Sequence, residues 1–164
     1  MSEEFGITFN KNKCVQCHGC EIACKTWRDV EAGISLRSIK YIWEGEYPDV
    51  KCNYYSVACM HCADPACVKA CPENAITKHD ADGVVLVDME ACTGCRLCSD
   101  ACPFDVPQYG KDGKMRKCDL CFNVIDYKSQ SPICVTTCPT QALRFDRISR
   151  EDKQAAEENM KNIK

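Results

Sequence analysis

Sixteen of the seventeen cysteines in this 164-residue chain fall into four groups of four. Cys14, Cys17, Cys20 and Cys24 form C-x2-C-x2-C-x3-C, and Cys92, Cys95, Cys98 and Cys102 repeat that spacing. Cys59, Cys62, Cys67 and Cys71 form C-x2-C-x4-C-x3-C, while Cys118, Cys121, Cys134 and Cys138 form C-x2-C-x12-C-x3-C. Pro72, Pro103 and Pro139 each follow the last cysteine of a group. These are ligand spacings for [4Fe–4S] clusters, in which each of four iron corners takes one thiolate. Four quartets imply four cubanes, and four cubanes in so short a chain imply a path for electrons.

Cysteines three residues apart can wrap one cluster, with backbone N–H groups turned towards its sulfides. The fourth cysteine of a group sits on the turn of helix that leads away, and in bacterial two-cluster ferredoxins it ligates the other cluster. The proline after it fixes φ and removes a donor, so the chain leaves in a defined direction. Gly19 and Gly94 each stand one residue before a ligand, where the backbone is expected to approach the inorganic core.

Other chemistries fit less well. Disulfides are disfavoured by the odd count, by the lack of a secretory signal, and by the poor geometry of pairs at i, i+3. Zinc suits an isolated C-x2-C pair, and Cys118/Cys121 with Cys134/Cys138 can pass for a zinc ribbon. Zinc leaves the triplets 14/17/20 and 92/95/98 unexplained. His18 and His61 lie inside ligand motifs whose cysteine count is already complete, which gives them a supporting or surface role. His79 reads as a turn residue. Cys52 lies outside every quartet and reads as a buried thiol acting as a small hydrophobe. The pattern contains no pocket-forming nucleophile, general-base pair or phosphate loop, so the chain is not expected to be an enzyme on its own.

The apolar fraction of 45% is inflated by cysteine, and aromatics make up only 8%. Clusters must therefore act as cross-links in a molecule of one compact unit or two small ones. Cysteines this abundant and unpaired imply a reducing place of assembly. The formal charge is −3, and four oxidised cubanes at −2 each would bring it to about −11. Lys25, Lys69, Arg96, Arg116 and Lys117 stand beside ligands, either offsetting that charge or lying solvated. No basic tract suggests nucleic acid. No apolar run approaches the ~20 residues of a membrane span, and the N-terminus shows no export pattern. The expectation is a cytoplasmic protein, or one exported or membrane-associated only through a partner subunit.

The intervening segments carry modest signals. Residues 5–10 alternate as a short strand, and residues 75–88 read as a hairpin about an Asp80–Gly83 turn. Residues 34–57 predict two strands, with Arg37, Ile39, Tyr41 and Trp43 on one face and Tyr54 and Tyr55 following. That aromatic face either meets a partner or covers the clusters. Residues 122–133 read as a loop holding a short helical turn. From Ser149 the tail reads as a helix with a capping-box start at Ser149 and Asp152 and a weak stripe of Ala156, Met160 and Ile163. It is expected to be an edge helix docked on a neighbour. The third cysteine group partially repeats the first, KNKCVQCHGCEIAC against MEACTGCRLCSDAC.

The segments CVQCHGCEIACK, CMHCADPACVKACP, ACTGCRLCSDACPF, KCDLC and PICVTTCP stand in the order and spacing of a known family. Over about residues 5–146 the chain resembles the iron–sulfur electron-transfer subunits of the dimethyl sulfoxide reductase superfamily of molybdenum and tungsten enzymes. The resemblance is strongest to the dimethyl sulfoxide, polysulfide and tetrathionate reductase subunits. It implies an α+β fold with few regular elements, built from two pseudo-symmetric ferredoxin-like modules with crossed ligand sets. The first module would comprise residues 1–50 and 108–148, the second residues 51–107, with a helical tail over 149–164.

Carried over by position, cluster 1 would take Cys14, Cys17, Cys20 and Cys138, and cluster 2 would take Cys24, Cys118, Cys121 and Cys134. Cluster 3 would take Cys59, Cys62, Cys67 and Cys102, and cluster 4 would take Cys71, Cys92, Cys95 and Cys98. The clusters would be wired in that order, with the first facing the catalytic subunit. In nitrate reductase relatives the position of Cys95 is tryptophan beside a three-iron cluster, so here a full cubane is implied. The implied partners are a large molybdopterin catalytic subunit and a quinone-reactive, flavin or ferredoxin protein. Several relatives end in a membrane helix; here the tail is charged, so a membrane anchor would be a separate subunit. A hydrogenase-type complex and a free-standing polyferredoxin are the alternative settings.

Overall fold

A chain with little apolar material between its cysteines can build only short elements, and these fold back on one another in pairs. The computed structural model describes residues 3–161. Helix α1 (Gly19–Trp27) begins in the first cysteine group, and one-turn helices α2 (Ala66–Lys69), α3 (Leu97–Asp100) and α4 (Ile133–Thr136) mark the other three. α1 packs on α4, and α2 packs on α3.

The strands are β1 (Glu4–Phe9), β2 (Arg37–Glu44), β3 (Lys51–Ala58), β4 (Ile76–Lys78), β5 (Val85–Val87), β6 (Gln108–Tyr109), β7 (Met115–Arg116) and β8 (Leu143–Ile148). They form antiparallel pairs β1–β8, β2–β3, β4–β5 and β6–β7. The predicted strand near the N-terminus is thus present, and its partner β8, which the sequence pattern did not announce, aligns Glu4 with Ile148 and Phe9 with Leu143. The predicted 75–88 hairpin closes through the amide of His79 donating to Val84 O and that of Gly83 to His79 O, both at 2.8 Å. In the 122–133 loop the amides of Val124 and Ile125 both donate to Cys121 O, which is the expected helical turn. Tyr127 from that loop packs with Phe5 and Phe145, at ring separations of 4.7 and 5.0 Å.

Burial is split among small clusters, and each contains cysteine. Cys20 and Cys134 lie with Ile39 and Leu143, Cys118 with Ala58, Val84 and Leu120, and Cys98 with Ile76, Val85 and Met115. The β2–β3 hairpin spans residue 50, its strands pairing from Arg37↔Ala58 to Glu44↔Lys51. The β6–β7 pair packs through Met115 and Tyr109 with Ile76, Val85 and Cys98.

The β2–β3 hairpin is buried at its base and bare at its tip. Arg37 and Ile39 are covered, while Trp43 is 70% and Tyr47 93% exposed. Cys52 sits opposite Trp43 and is only half-buried, so it is not the enclosed hydrophobe expected. Helix α5 (Arg150–Lys161) starts as predicted, with Asp152 N donating to Ser149 Oγ at 3.0 Å. Its anchor is not the apolar stripe. Ala156 and Met160 are half-buried and Ile163 lies outside the described residues. Lys153, 1% exposed, instead reaches Glu4 Oε2 at 2.7 Å. Glu157 accepts from Ala63 N at 2.8 Å and Arg150 donates to Ala63 O at 3.2 Å, so the helix docks on its own chain.

Candidate metal centres

The first C-x2-C loop of each group uses the same backbone turn. The residue before the second cysteine is left-handed in each: Gln16 at φ 58°, His61 at 48°, Gly94 at 74° and Leu120 at 55°. In the first and third groups a second left-handed residue, His18 at 57° or Arg96 at 69°, leads into α1 or α3. Turns of this kind aim successive backbone N–H groups into a concavity suited to an anionic core. The segment after each Cys-Pro repeats as well. Asn74, Asp105 and Gln141 are left-handed, and their amides donate to the carbonyls of Cys71, Cys102 and Cys138 at 3.3, 3.4 and 3.2 Å. Proline at the second position of such a turn supplies the φ it needs.

The glycines act for more local reasons than expected. A Cβ on Gly94 would meet Gly113 O at 2.3 Å, so crowding by the β6–β7 turn, together with positive φ, requires glycine there. Gly19 has no such constraint: a Cβ there would make ordinary contact with Cys17 Sγ at 3.5 Å and Thr137 at 3.7 Å.

Two cavities are lined by complete cysteine quartets. One is bordered by Cys59, Cys62, Cys67 and Cys102, with Lys117 at its wall. The other is bordered by Cys71, Cys92, Cys95 and Cys98, with Arg96 and Tyr109 beside them. The last cysteine of each group therefore faces the other group's cavity. Around α1 and α4 the sulfurs of Cys134 and Cys121 lie close enough to Cys24 to oppose its ionisation, and Cys20 shares a buried cluster with Cys134. The Cys17 sulfur and Thr137, next to Cys138, both flank Gly19, and Cys14 is half-buried where the 3-10 turn Lys11–Lys13 ends. Cys59 packs against the buried cluster that holds Cys118. Cys17 and Cys95 are the two exposed cysteines.

Burial pushes the thiols of Cys24 and Cys62 up to about 12 and that of Cys67 to about 11, and raises Cys20, Cys98, Cys118 and Cys121. These sulfurs hold protons until something cationic replaces them. Cys138 is the exception: burial raises it, but hydrogen bonds from the amides of Leu143, Ala142 and Thr140 and from the Thr140 hydroxyl together outweigh that and lower it.

Of the five basic residues expected near ligands, three are engaged elsewhere, and Arg96 stays beside the Cys71/Cys92/Cys95/Cys98 cavity. Lys25 donates to Glu31 O and Ile34 O at 3.0 and 2.6 Å. Lys69 pairs with Asp64 at 2.6 Å on the surface, Arg116 pairs with Asp112 at 2.8 Å, and Arg96 covers the Tyr109 ring at 4.8 Å. Lys117 alone is buried, donating to the carbonyls of Val85 and Cys118. The residue that the charge inventory missed is Arg37. It is 4% exposed, donates from Nη1 to Ser56 Oγ at 2.9 Å, and has an Nε–H with no partner.

Neither histidine is a surface accident. His18 links Glu21 to the Tyr41 hydroxyl, the latter at 2.6 Å, and so ties the first ligand loop to the hairpin. His61 is 1% exposed and accepts from Val85 N through Nδ1 at 2.9 Å, which leaves an unpartnered Nε2. Burial, then the nearby Lys117, Lys153, Lys78 and Arg37, hold its pKa well below the usual histidine value, so it is neutral with the proton on Nε2.

The donor set fits iron–sulfur clusters. It offers thiol quartets around cavities, inward-turned amides, and buried donors left without protein acceptors. A tetrahedral zinc with sulfurs at about 2.3 Å needs thiolates roughly 3.8 Å apart. Among the described residues, no three cysteine, histidine or carboxylate side chains converge on a single-ion site.

Comparisons with known proteins agree with this chemistry. Residues 50–148 match the 4Fe-4S dicluster domain and residues 11–27 a 4Fe-4S binding domain. The chain is 41% identical to the B subunit of the anaerobic dimethyl sulfoxide reductase of Haemophilus influenzae over 156 residues, covering 89% of this chain and 75% of that one. It is 38% identical to the Escherichia coli protein of the same name, covering 94% and 78%. It is 32% identical to the thiosulfate reductase electron transfer subunit PhsB of Salmonella typhi, covering 94% and 81%.

Proposed function

The chain belongs to the family of iron–sulfur subunits of the dimethyl sulfoxide reductase superfamily, and from that premise we propose that it relays single electrons through four [4Fe–4S] clusters between a molybdenum- or tungsten-pterin catalytic subunit and a quinone-reactive, flavin or ferredoxin partner. Bound clusters supply the one-electron steps, and the chain holds and spaces them without bond chemistry of its own. The ligand sets are Cys14, Cys17, Cys20 and Cys138; Cys24, Cys118, Cys121 and Cys134; Cys59, Cys62, Cys67 and Cys102; and Cys71, Cys92, Cys95 and Cys98.

The observation that carries this reading is the exchange of fourth cysteines between the two cavities, Cys102 into one and Cys71 into the other. Cys24 beside Cys121 and Cys134 supports the same exchange around α1 and α4. The pairing of α1–α4 and β1–β8 in one half, and of α2–α3 and β4–β5 in the other, supports two related modules. Packing of Cys59 against the cluster that holds Cys118 supports a wire whose middle lies between the halves, and exposure of Cys17 and Cys95 supports ends that face partners.

The catalytic subunit docks at the Cys17 end, where Val15 is 61% exposed and His18 ties the loop to the aromatic hairpin. A membrane-anchoring subunit would take the Cys95 end; among the described residues no helix is long and apolar enough to cross a membrane. Anaerobically purified protein should contain about sixteen iron and sixteen acid-labile sulfide per chain. Iron for only two or three clusters, with zinc making up the difference, would sink the four-cluster reading. Val15→Asp should weaken copurification of the catalytic subunit with the iron content unchanged, and undiminished copurification would remove this face from the interface.

A further inference from the structure

Arg37 opens β2 at the base of the hairpin, and its guanidinium is enclosed by the protein. A buried charge is tolerated only when something of opposite sign compensates it. Among the described residues no carboxylate forms an ion pair with Arg37. Its contacts are to Ser56, and Nε–H is left over. What surrounds it is sulfur. Cys134, Cys118, Cys20 and Cys24 lie near enough for their thiolate forms to act on its charge. Ser56 Oγ, which accepts from Arg37, also lies 3.5 Å from Cys20 Sγ, so one hydroxyl connects the guanidinium to a thiol.

These four cysteines are shared between the first two proposed ligand sets: Cys20 belongs to one, and Cys24, Cys118 and Cys134 to the other. We infer that Arg37 is the built-in counter-charge of clusters 1 and 2, a positioning residue that raises both potentials by stabilising their more negative reduced forms. The inference rests on the proposed ligand sets and adds to them a reason for the segment between the first two cysteine groups: the hairpin delivers a fixed cation to the inner face of the wire. Lys117, by contrast, is already engaged by the Val85 and Cys118 carbonyls. Net charge and hydrogen bonds to sulfur are recognised determinants of iron–sulfur potentials. Arginine suits the task because it stays charged when buried and its planar fork can serve two acceptors at once.

The test is a redox titration followed by EPR on the whole complex, with wild type, Arg37→Gln and Arg37→Lys. Iron and sulfide in the wild type test the cluster reading separately; if they fall short of four cubanes, that reading fails whatever Arg37 does. With four clusters loaded, Arg37→Gln should shift two midpoint potentials to more negative values and leave two unchanged, while Arg37→Lys should hold both near wild type. Four unchanged potentials in a fully loaded Arg37→Gln protein would overturn the inference, as would an equal shift of all four. If Arg37→Gln fails to load, Arg37→Lys decides. Loading with near-wild-type potentials supports a counter-charge, and failure to load shows that the guanidinium acts only through its shape and hydrogen bonds.

Discussion

Gln16, His61, Gly94 and Leu120 occupy the same left-handed position in four loops, yet only one of them is glycine. A side chain in that region costs about 1–2 kcal/mol, so three of the loops carry strain that the turned-in amides must offset. This was not legible in the sequence, because glutamine, histidine and leucine share no property that announces positive φ. Cysteine spacing, in contrast, was legible, because a ligand's identity is chemical and survives without any knowledge of the backbone. The loops should respond differently to substitution. Gln16→Gly should be tolerated and raise stability by roughly 1 kcal/mol through relief of φ. Gly94→Ala should cost more than that, since its Cβ meets a backbone oxygen of the β6–β7 turn rather than a movable side chain. Iron content and thermal melts of the two variants check this; a Gly94→Ala protein with full iron and an unchanged melting temperature would show that the β6–β7 turn yields easily.

The elements were legible where their signal is local. The 75–88 hairpin, the capped start of α5 and the paired strands of 34–57 all rest on turn chemistry, capping or alternation within one segment. β8 and the docking of α5 were not, because each depends on a partner more than a hundred residues away: β1 for the strand and Glu4 for Lys153. Arg37 was placed on the right strand face, but its burial could not be seen without the cysteines that surround it. Glu4 illustrates the energetics. It accepts from Lys78 at 2.7 Å and from Lys153 at 2.7 Å, joining β1, the β4–β5 hairpin and α5. Removing one partner from a buried ionic network leaves uncompensated charge and costs about 3–5 kcal/mol. Glu4→Gln should therefore loosen α5, seen as faster amide exchange over Arg150–Lys161. Burial works to raise the Glu4 pKa, but the two lysines outweigh it and set it below 4.5. A lowered folded-state value means that stability is present above 4.5 and is lost as pH falls through the folded value. Acidification should thus free the α5 amides in the wild type, and much less in Glu4→Gln. Equal acid sensitivity in both proteins would move the origin of the effect away from this carboxylate.

At the scale of the whole molecule, the clusters stand in for a core. Each buried cluster of side chains includes cysteine, and the largest apolar contributions around them are single residues such as Ile39, Val84 and Met115. Cys24 and Cys118 lie 94 positions apart in the sequence, and both belong to one proposed ligand set. Closing a loop of that length costs on the order of 4 kcal/mol in chain entropy alone. Without a bound centre, the compensation would have to come from buried thiols that remain protonated and from a few aliphatic contacts. Metal binding in small modules supplies about 10 kcal/mol or more of folding free energy, which is enough to reverse that balance. Stripping iron with a chelator under anaerobic reduction should therefore abolish the cooperative unfolding transition. Protection should vanish first in β1–β8 and α1–α4, which join distant segments, and persist longest in the local hairpins β4–β5 and β2–β3. Hydrogen exchange followed by mass spectrometry resolves these segments individually. A stripped chain that keeps native-like protection across β1 and β8 would show that the polypeptide closes on its own, and that the clusters occupy a scaffold they do not build.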